Sequence, residues 1–272
     1  MGKITVKHYL NKRLKPEISG KDVIYPLYLS ISYDRMNIRT PSAIYSDWEG
    51  ITEKDFEKQK FTKEVLFKLN YECDLIERSV KKFAEDESTK QLKKNLGKIY
   101  PGKKYKSKNE RLNILNSYID YYTHSIFDIV SDELYKKIKD AVLDRISRDL
   151  NDLDLFDEYK IQELFIYNNP KLYNMIKNYN LGKEYELYYI VWSRFYSYLA
   201  EQGSKYKYDM PYIDWIEGRG QKLFSDYLKT YTRKTDQWET DFFTDEIVNE
   251  SITIINNIIN SDDYFSKLIN RL

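Results

Sequence analysis

ITVKHYLNKRLKPEISGKDVIYPLYLSISYDRMNIRTPSAIYSDW occupies residues 4–48, and this is the stretch that decides the fold. Apolar and polar side chains alternate along residues 3–10, and the alternation returns along residues 23–33. A period of two residues is typical of a β-strand with one buried face. Pro26 lies near the start of the second segment, where a strand tolerates the missing N–H. We therefore predict two strands here.

A turn and a third strand follow directly. Asp34-Arg35-Met36-Asn37 predicts a hairpin turn, although it lacks the glycine that a tight two-residue turn prefers. Residues 38–40 and 43–45 predict a third strand that is broken at Pro41. Gly20-Lys21-Asp22 interrupts the chain between the first two strands. The whole stretch therefore predicts a small antiparallel sheet of three or four strands.

Helical periodicity dominates the rest of the chain. Apolar residues recur at three- and four-residue spacing within residues 62–84, and this stripe includes Cys73, which favours a core thiol over a nucleophile. Further helices are predicted at residues 112–130, at residues 183–201, and from a cap at Ser131 onward. The body of the protein is therefore predicted to be helical.

These patterns predict an α+β protein, in which a small N-terminal antiparallel sheet precedes a larger all-α domain. Residues 1–50 would form the β-module, and residues 51–111 would contribute a helix and a basic linker. Residues 112–272 would form an acidic helical domain rich in tyrosine, with a late helix that begins at Thr244-Asp245-Glu246.

Aromatic residues are the compositional outlier, since the chain holds 27 Tyr, 12 Phe and 4 Trp. The codon bias of an AT-rich genome is one explanation. The other is that Tyr and Trp supply large contact surfaces at protein interfaces, and the two explanations are compatible. The most aromatic helix predicts candidates for an interface between protein chains at Tyr185, Tyr188, Trp192 and Tyr196.

Charge is distributed unevenly along the chain. Residues 1–111 hold 25 Lys and Arg against 16 Asp and Glu, a net charge of +9, whereas residues 112–272 hold 19 against 27, a net charge of −8. The most basic stretch is 90–111, which is interpreted as a phosphate-binding segment, a solvated linker or a patch that meets an acidic protein surface. Its candidate contact residues are Lys93, Lys94, Lys98, Lys103, Lys104, Lys106, Lys108 and Arg111.

Nothing in the sequence is typical of an enzyme. The single Cys excludes an intramolecular disulfide and a Cys-based zinc site. The glycine-rich phosphate loop, the nucleophile elbow and the dinucleotide fingerprint are all missing from the sequence. We expect no catalysis, no cofactor and no metal. The first ten residues contain no apolar signal-peptide core, and the longest apolar runs, such as Leu187–Trp192, are too short to span a membrane, so an intracellular protein is expected.

The opening stretch resembles the arm-type DNA-binding domain at the N-terminus of tyrosine recombinases from Bacteroidetes integrative elements and phages. The similar features are Tyr9-Leu10-Asn11-Lys12-Arg13, Tyr25-Pro26-Leu27-Tyr28-Leu29, Asn37-Ile38-Arg39-Thr40, and the exit from Ile44-Tyr45 to Trp48. The resemblance covers about a fifth of the chain. It implies that the small sheet enters the major groove of DNA at arm sites.

Two departures from that family limit the resemblance. The family carries a Gly where Pro41-Ser42-Ala43 stands here. Recombinases also need a His-x-x-Arg pair, whereas His124 precedes Ser125-Ile126-Phe127 and His8 precedes Tyr9-Leu10-Asn11. The chain is therefore not expected to be a recombinase.

Two hypotheses remain. The first is a structural or assembly protein of a bacteriophage or related mobile element, which oligomerises through its Tyr-rich helices and docks on other assembly proteins through the β-module. The second is an accessory protein that binds double-stranded DNA at arm-type sites. Its contacts would add Lys7, Lys12, Arg13, Arg35 and Arg39 to the basic stretch. The first hypothesis is preferred, because a net charge of −8 over residues 112–272 repels phosphate. The expected location is the cytoplasm of the producing bacterial cell, or the virion.

Overall fold

The computed structural model describes residues 3–19, 22–44, 52–88, 108–148, 170–202, 210–231, 243–261, 263–264 and 267. Its contacts divide the chain into two compact units. The first unit comprises Met1–His124, Ser204–Ile213 and Ile269–Leu272. The second comprises Ser125–Gly203 and Asp214–Leu268. Each unit is described by itself below.

The first unit contains the sheet and three helices among its described residues. Its strands are β1 (Ile4–Leu10), β2 (Glu17–Ser19), β3 (Asp22–Ile24), β4 (Leu27–Tyr33) and β5 (Met36–Pro41). Its helices are α1 (Glu53–Glu57), α2 (Lys63–Ser88) and α3 (Lys108–Thr123). The prediction of an N-terminal antiparallel sheet followed by a mostly helical region is confirmed.

The main sheet is antiparallel, with β4 between β1 and β5, and β2 and β3 form a separate two-stranded ribbon. The strand predicted over 23–33 is split into β3 and β4 at Tyr25-Pro26, where proline has no N–H to donate to a neighbouring strand. The Pro26 carbonyl accepts the Asn11 backbone N–H at 2.8 Å. β5 includes Pro41 and ends there, since an edge strand tolerates a residue without an N–H. Residues 43–44 form a turn, so the predicted continuation of the third strand at 43–45 is wrong for those two residues. Residue 45 lies outside the described ranges.

One face of the sheet is packed against α2. Every second residue of β4, from Leu27 to Tyr33, is buried, as the alternation predicted. The Tyr33 ring meets Phe83 of α2 edge-on at 6.2 Å, and Phe83 meets Tyr118 of α3 at 5.3 Å. The Tyr118 hydroxyl donates to the buried carboxylate of Asp86 at 3.0 Å. Consequently α3 belongs to the same unit as the sheet.

The second unit is helical throughout its described residues. Its helices are α4 (Phe127–Arg148), α5 (Pro170–Asn178), α6 (Lys183–Gln202), α8 (Arg219–Tyr231) and α9 (Asp245–Asn260). The short helix α7 (Tyr212–Ile216) begins in the first unit and ends in the second. α9 begins where the sequence predicted, and Thr244 caps it by accepting the Ile247 N–H.

The helix break predicted at Ser131 is wrong. The helical conformation is interrupted at residues 124–126 instead. The Ser125 hydroxyl accepts the backbone N–H of Phe127 at 3.1 Å, where α4 begins. Ser131 lies inside α4, and its hydroxyl accepts the indole N–H of Trp192 at 3.0 Å. A serine that meets a tertiary partner need not cap a helix.

Aromatic rings fill the core of the second unit. Phe195 of α6 packs edge-on against Trp215 and Phe224, with ring centroids 6.1 and 5.1 Å apart. The Trp215 indole N–H donates to the Asn256 side-chain oxygen at 2.8 Å, which satisfies its buried polar atom. No helix in the described ranges combines the length and the apolar character that a membrane crossing requires.

Candidate nucleic-acid interface

The second face of the main sheet carries polar and aromatic side chains, all of them exposed or half-buried. We call this surface the open face. It is defined by the alternate residues of the three strands that point away from the buried side: Thr5, Lys7, Tyr9, Tyr28, Ser30, Ser32, Asn37, Arg39 and Pro41. It contains no acidic residue.

The strand register arranges these residues in rows. The middle row is Lys7–Ser30–Arg39, in which the two cations lie on the outer strands and the small serine lies between them. Both cations are exposed, and neither makes an ion pair with a described residue. Two like charges that have no carboxylate beside them form a site suited to an anion.

Polar and aromatic rows flank the cationic row. On one side, Thr5–Ser32–Asn37 offers hydroxyl and amide groups, and Ser32 donates to the Asn37 side-chain oxygen at 2.6 Å. On the other side, Tyr9 and Tyr28 pack with ring centroids 6.1 Å apart. Hydroxyl and amide groups are suited to base edges in the DNA major groove, so Asn37 joins the candidate contacts.

Predicted contact residues near this sheet differ in what they bind within the chain. Arg13 and Arg35 are exposed and have no ion pair among the described residues. Lys12 instead donates to the carboxylates of Glu53 and Glu57 of α1, at 3.2 Å in the second case. These hydrogen bonds raise the pKa of Lys12. Lys12 is therefore already neutralised by the chain.

Arg111, another predicted contact, holds three parts of the first unit together. Its guanidinium donates twice to Glu87 at the end of α2, at 2.7 and 2.6 Å, and pairs with Asp34 of the β4–β5 turn at 2.8 Å. It also lies 5.8 Å from the centre of the Tyr33 ring. A bidentate, stacked arginine of this kind supports the fold, so Arg111 is not free to bind a phosphate.

Most of the predicted basic stretch lies outside the described residues. Lys93, Lys94, Lys98, Lys103, Lys104 and Lys106 lie outside the described residues. Lys108 begins α3.

A buried polar network lies beneath β1. Glu72 of α2 has no exposed surface, and its carboxylate accepts three hydrogen bonds: from His8 Nε2 at 2.7 Å, from Ser42 Oγ at 2.5 Å and from the Ala43 N–H at 2.6 Å. Burial by itself would raise the pKa of Glu72, but these hydrogen bonds outweigh it and hold the pKa below its ordinary value. The network joins β1, the segment after β5 and α2, so it supports the strand that carries Lys7.

Sequence analysis interpreted Cys73 as a core thiol, and the structure places it beside His8 of β1. Cys73 Sγ lies 3.4 Å from His8 Nδ1, while Nε2 of the same ring faces Glu72. This order of thiol, imidazole and carboxylate is the one that cysteine nucleophiles use. Burial, with the charges of Glu72 and Glu77, raises the pKa of Cys73 to about 12, so the group is a neutral thiol. The arrangement therefore stabilises the fold.

The predicted interface residues of α6 differ in exposure. Trp192 is 6% exposed and bonded to Ser131 within its own unit, so it does not present a surface to another chain. Tyr185 and Tyr188 are half-buried and pack edge-on at 5.8 Å. Tyr196 is 36% exposed, and its ring lies 5.6 Å from that of Phe127.

Sequence analysis missed Glu72, Asn37 and Ser32. The signal for Glu72 was present, because it lies three residues after Leu69 and four before Ile76, inside the apolar stripe of α2. A carboxylate at such a position needs a buried partner. Asn37 and Ser32 follow the same strand alternation as Arg39 and Ser30, which places them on the open face.

Comparisons with known protein families, with curated proteins and with solved structures found no match for this chain.

Proposed function

We propose that this protein binds double-stranded DNA through the open face and catalyses no reaction. The observation that carries the proposal is the row Lys7–Ser30–Arg39, in which two exposed, unpaired cations lie on a surface without carboxylates. Elsewhere in the first unit, Lys12 and Arg111 are neutralised by acidic partners. The open face keeps its positive charge for an external anion.

The dimensions of the sheet agree with a groove. Neighbouring strands lie about 4.8 Å apart, so three strands measure about 10 Å between the outer backbones. The major groove of B-DNA is about 12 Å wide and admits a helix or a β-ribbon. With the outer strands beside the groove walls, the long side chains of Lys7 and Arg39 would reach phosphates, while the shorter side chains of Ser32 and Asn37 would face base edges. This division supports binding that includes some sequence preference.

The direct test is the binding of the full chain to a fluorescent duplex of random sequence, measured by anisotropy from low to moderate salt. We expect the wild-type affinity to fall steeply as salt rises, with a slope of about −0.9 for each neutralised phosphate. The double variant Lys7→Gln/Arg39→Gln is expected to reduce the slope by about two.

A matched control removes the same charge from another surface. Lys81 and Lys82 are partly exposed residues of α2 whose ion pairs, with Glu77 and Glu85, are local to that helix. The variant Lys81→Gln/Lys82→Gln should keep the wild-type slope. Equal losses in both double variants would mean that only net charge matters, and the absence of any wild-type binding at low salt would reject the proposal.

The second candidate is the assembly hypothesis, in which the chain is a structural component of a bacteriophage or related mobile element. One observation favours it: the second unit leaves Tyr196, Ile216 and Leu223 exposed, at 36%, 39% and 40%. Large exposed side chains of this kind are common at interfaces between protein chains. The partners would be other copies of the chain and other assembly proteins.

Molar mass by light scattering tests this second candidate. A ring-sized or growing species whose mass is unaffected by duplex DNA, and which shrinks in Leu223→Ser, would support assembly. A monomer at all concentrations, in the presence and absence of DNA, would argue against self-assembly.

A further inference from the structure

The turn between β4 and β5 has an unusual backbone. Tyr33 pairs with Met36, so only Asp34 and Arg35 connect the strands, and their φ angles are +43° and +62°. Two successive positive φ angles define a type I′ turn, where Asn-Gly or Asp-Gly is strongly preferred. Aspartate tolerates this conformation, but arginine is an unfavourable choice at a position that suits glycine.

The two side chains of the turn differ in whether they make an ion pair. Asp34 is bound by Arg111, which is itself fixed by Glu87. Arg35 is exposed and has no ion pair among the described residues. The turn is thus held rigidly by one side chain while the other stays available.

The position of the turn relates Arg35 to the open face. Arg35 lies four residues before Arg39 and two residue pairs beyond the row that contains Ser32 and Asn37. At about 3.3 Å per residue, this separates the two cations by about 13 Å along the strand. In the arrangement proposed above the outer strands run beside the groove walls, so Arg35 lies further along the wall that Arg39 faces. A duplex that binds the open face would therefore bring further phosphates of the same DNA strand to the turn.

We propose that the Asp34–Arg35 turn is a preformed phosphate anchor at the rim of the open face, with Arg35 as the contact and Arg111 as the residue that positions the turn. This inference rests on the proposed DNA binding. It explains why an arginine occupies a backbone position that favours glycine: the side chain serves the partner at the expense of the fold. Residues under local backbone strain are often found at functional sites for this reason.

The test compares Arg35→Gly with Arg35→Lys in the full chain. Arg35→Gly removes the cation and suits the turn, so thermal unfolding should occur at the wild-type temperature or above it. Its salt slope on a random-sequence duplex should be smaller by about one, so its affinity at 0.1 M salt should be about eightfold below that of the wild type if the two are equal at 1 M. Arg35→Lys keeps the charge and should keep the wild-type slope.

The outcomes separate this inference from the function on which it rests. If Arg35→Gly keeps the wild-type affinity and slope while Lys7→Gln/Arg39→Gln loses both, the open face binds DNA and the anchor is refuted. If Arg35→Gly unfolds at a lower temperature than the wild type, Arg35 serves the fold and the anchor is again refuted. If the wild type does not bind duplex DNA at any salt concentration, the proposed function fails, and the anchor fails with it.

Discussion

Replacing Glu72 by leucine tests whether the buried network or the apolar stripe governs the packing of α2 on β1. Glu72 occupies a position in the stripe where leucine would ordinarily be preferred. If only the stripe matters, Glu72→Leu should stabilise the protein. If the network matters, the same change removes the acceptor of three buried donors.

The magnitudes favour the network. Each buried donor that loses its acceptor costs about 1–3 kcal/mol, so the three donors on His8, Ser42 and Ala43 together cost about 3–9 kcal/mol. Burying the leucine side chain returns about 1.5–3 kcal/mol. We therefore expect Glu72→Leu to destabilise the first unit by about 3 kcal/mol.

Glutamine separates charge from shape. In Glu72→Gln the amide oxygen can still accept the Ala43 N–H. The amide nitrogen can donate to His8 and Ser42, provided that the imidazole changes tautomer and the Ser42 hydroxyl rotates. The cost should be about 1–2 kcal/mol, the difference between charge-assisted and neutral hydrogen bonds. Glu77→Gln is the control, because Glu77 lies on the same helix, is 44% exposed and pairs only locally with Lys81. Its effect should stay within about 0.5 kcal/mol.

Cys73 provides the assay. It is the only cysteine in the chain and contacts His8, so its reaction with a thiol reagent reports when β1 separates from α2. A loss of 3 kcal/mol should accelerate labelling by roughly a hundredfold or more, since each 1.4 kcal/mol is a factor of about ten. Labelling of Glu72→Leu at the wild-type rate, or more slowly, would refute the reasoning.

Three further predictions concern the same unit. The pKa of Glu72 in the folded protein lies below its ordinary value of 4.5. The contribution of Glu72 to the free energy of unfolding is therefore complete above pH 4.5 and is lost as the pH falls through the folded pKa. The urea midpoint of the wild type, measured at a series of pH values from neutral to acidic, should fall for this reason, whereas that of Glu72→Gln should not show this loss. With a pKa of about 12 against an ordinary 9.0, Cys73 should react with iodoacetamide at pH 8.5 about a thousandfold more slowly in the folded protein than in urea, as mass spectrometry would measure. Arg111→Lys should lower stability by about 1–2 kcal/mol in thermal unfolding, because lysine cannot replace the bidentate contact, and Glu87→Gln should cost a similar amount.

Local patterns predicted many of the elements of this fold. The alternation of Leu27, Leu29 and Ile31 identified the buried face of β4, and the predicted turn is present at Asp34-Arg35, although its second half, Met36-Asn37, belongs to β5. The predicted start of the last long helix at Thr244-Asp245 was also correct. Each of these depends on residues within a few positions of one another, where side-chain periodicity and backbone preference act. Even here the cap at Ser131 was wrong, because a tertiary partner used the hydroxyl.

Which charged residues are paired within the chain was decided by the tertiary structure alone. By sequence, Lys7, Lys12 and Arg111 are equivalent cations, yet only Lys7 is left on an open surface, because acidic residues from other elements neutralise the other two. His8 and Glu72 are 64 positions apart, and no periodic pattern connects them. The sequence by itself determined which faces are apolar, since burial follows the spacing of side chains along one strand or helix. Which polar groups remain available for a partner depends on contacts between distant elements, and these exist only once the chain has folded.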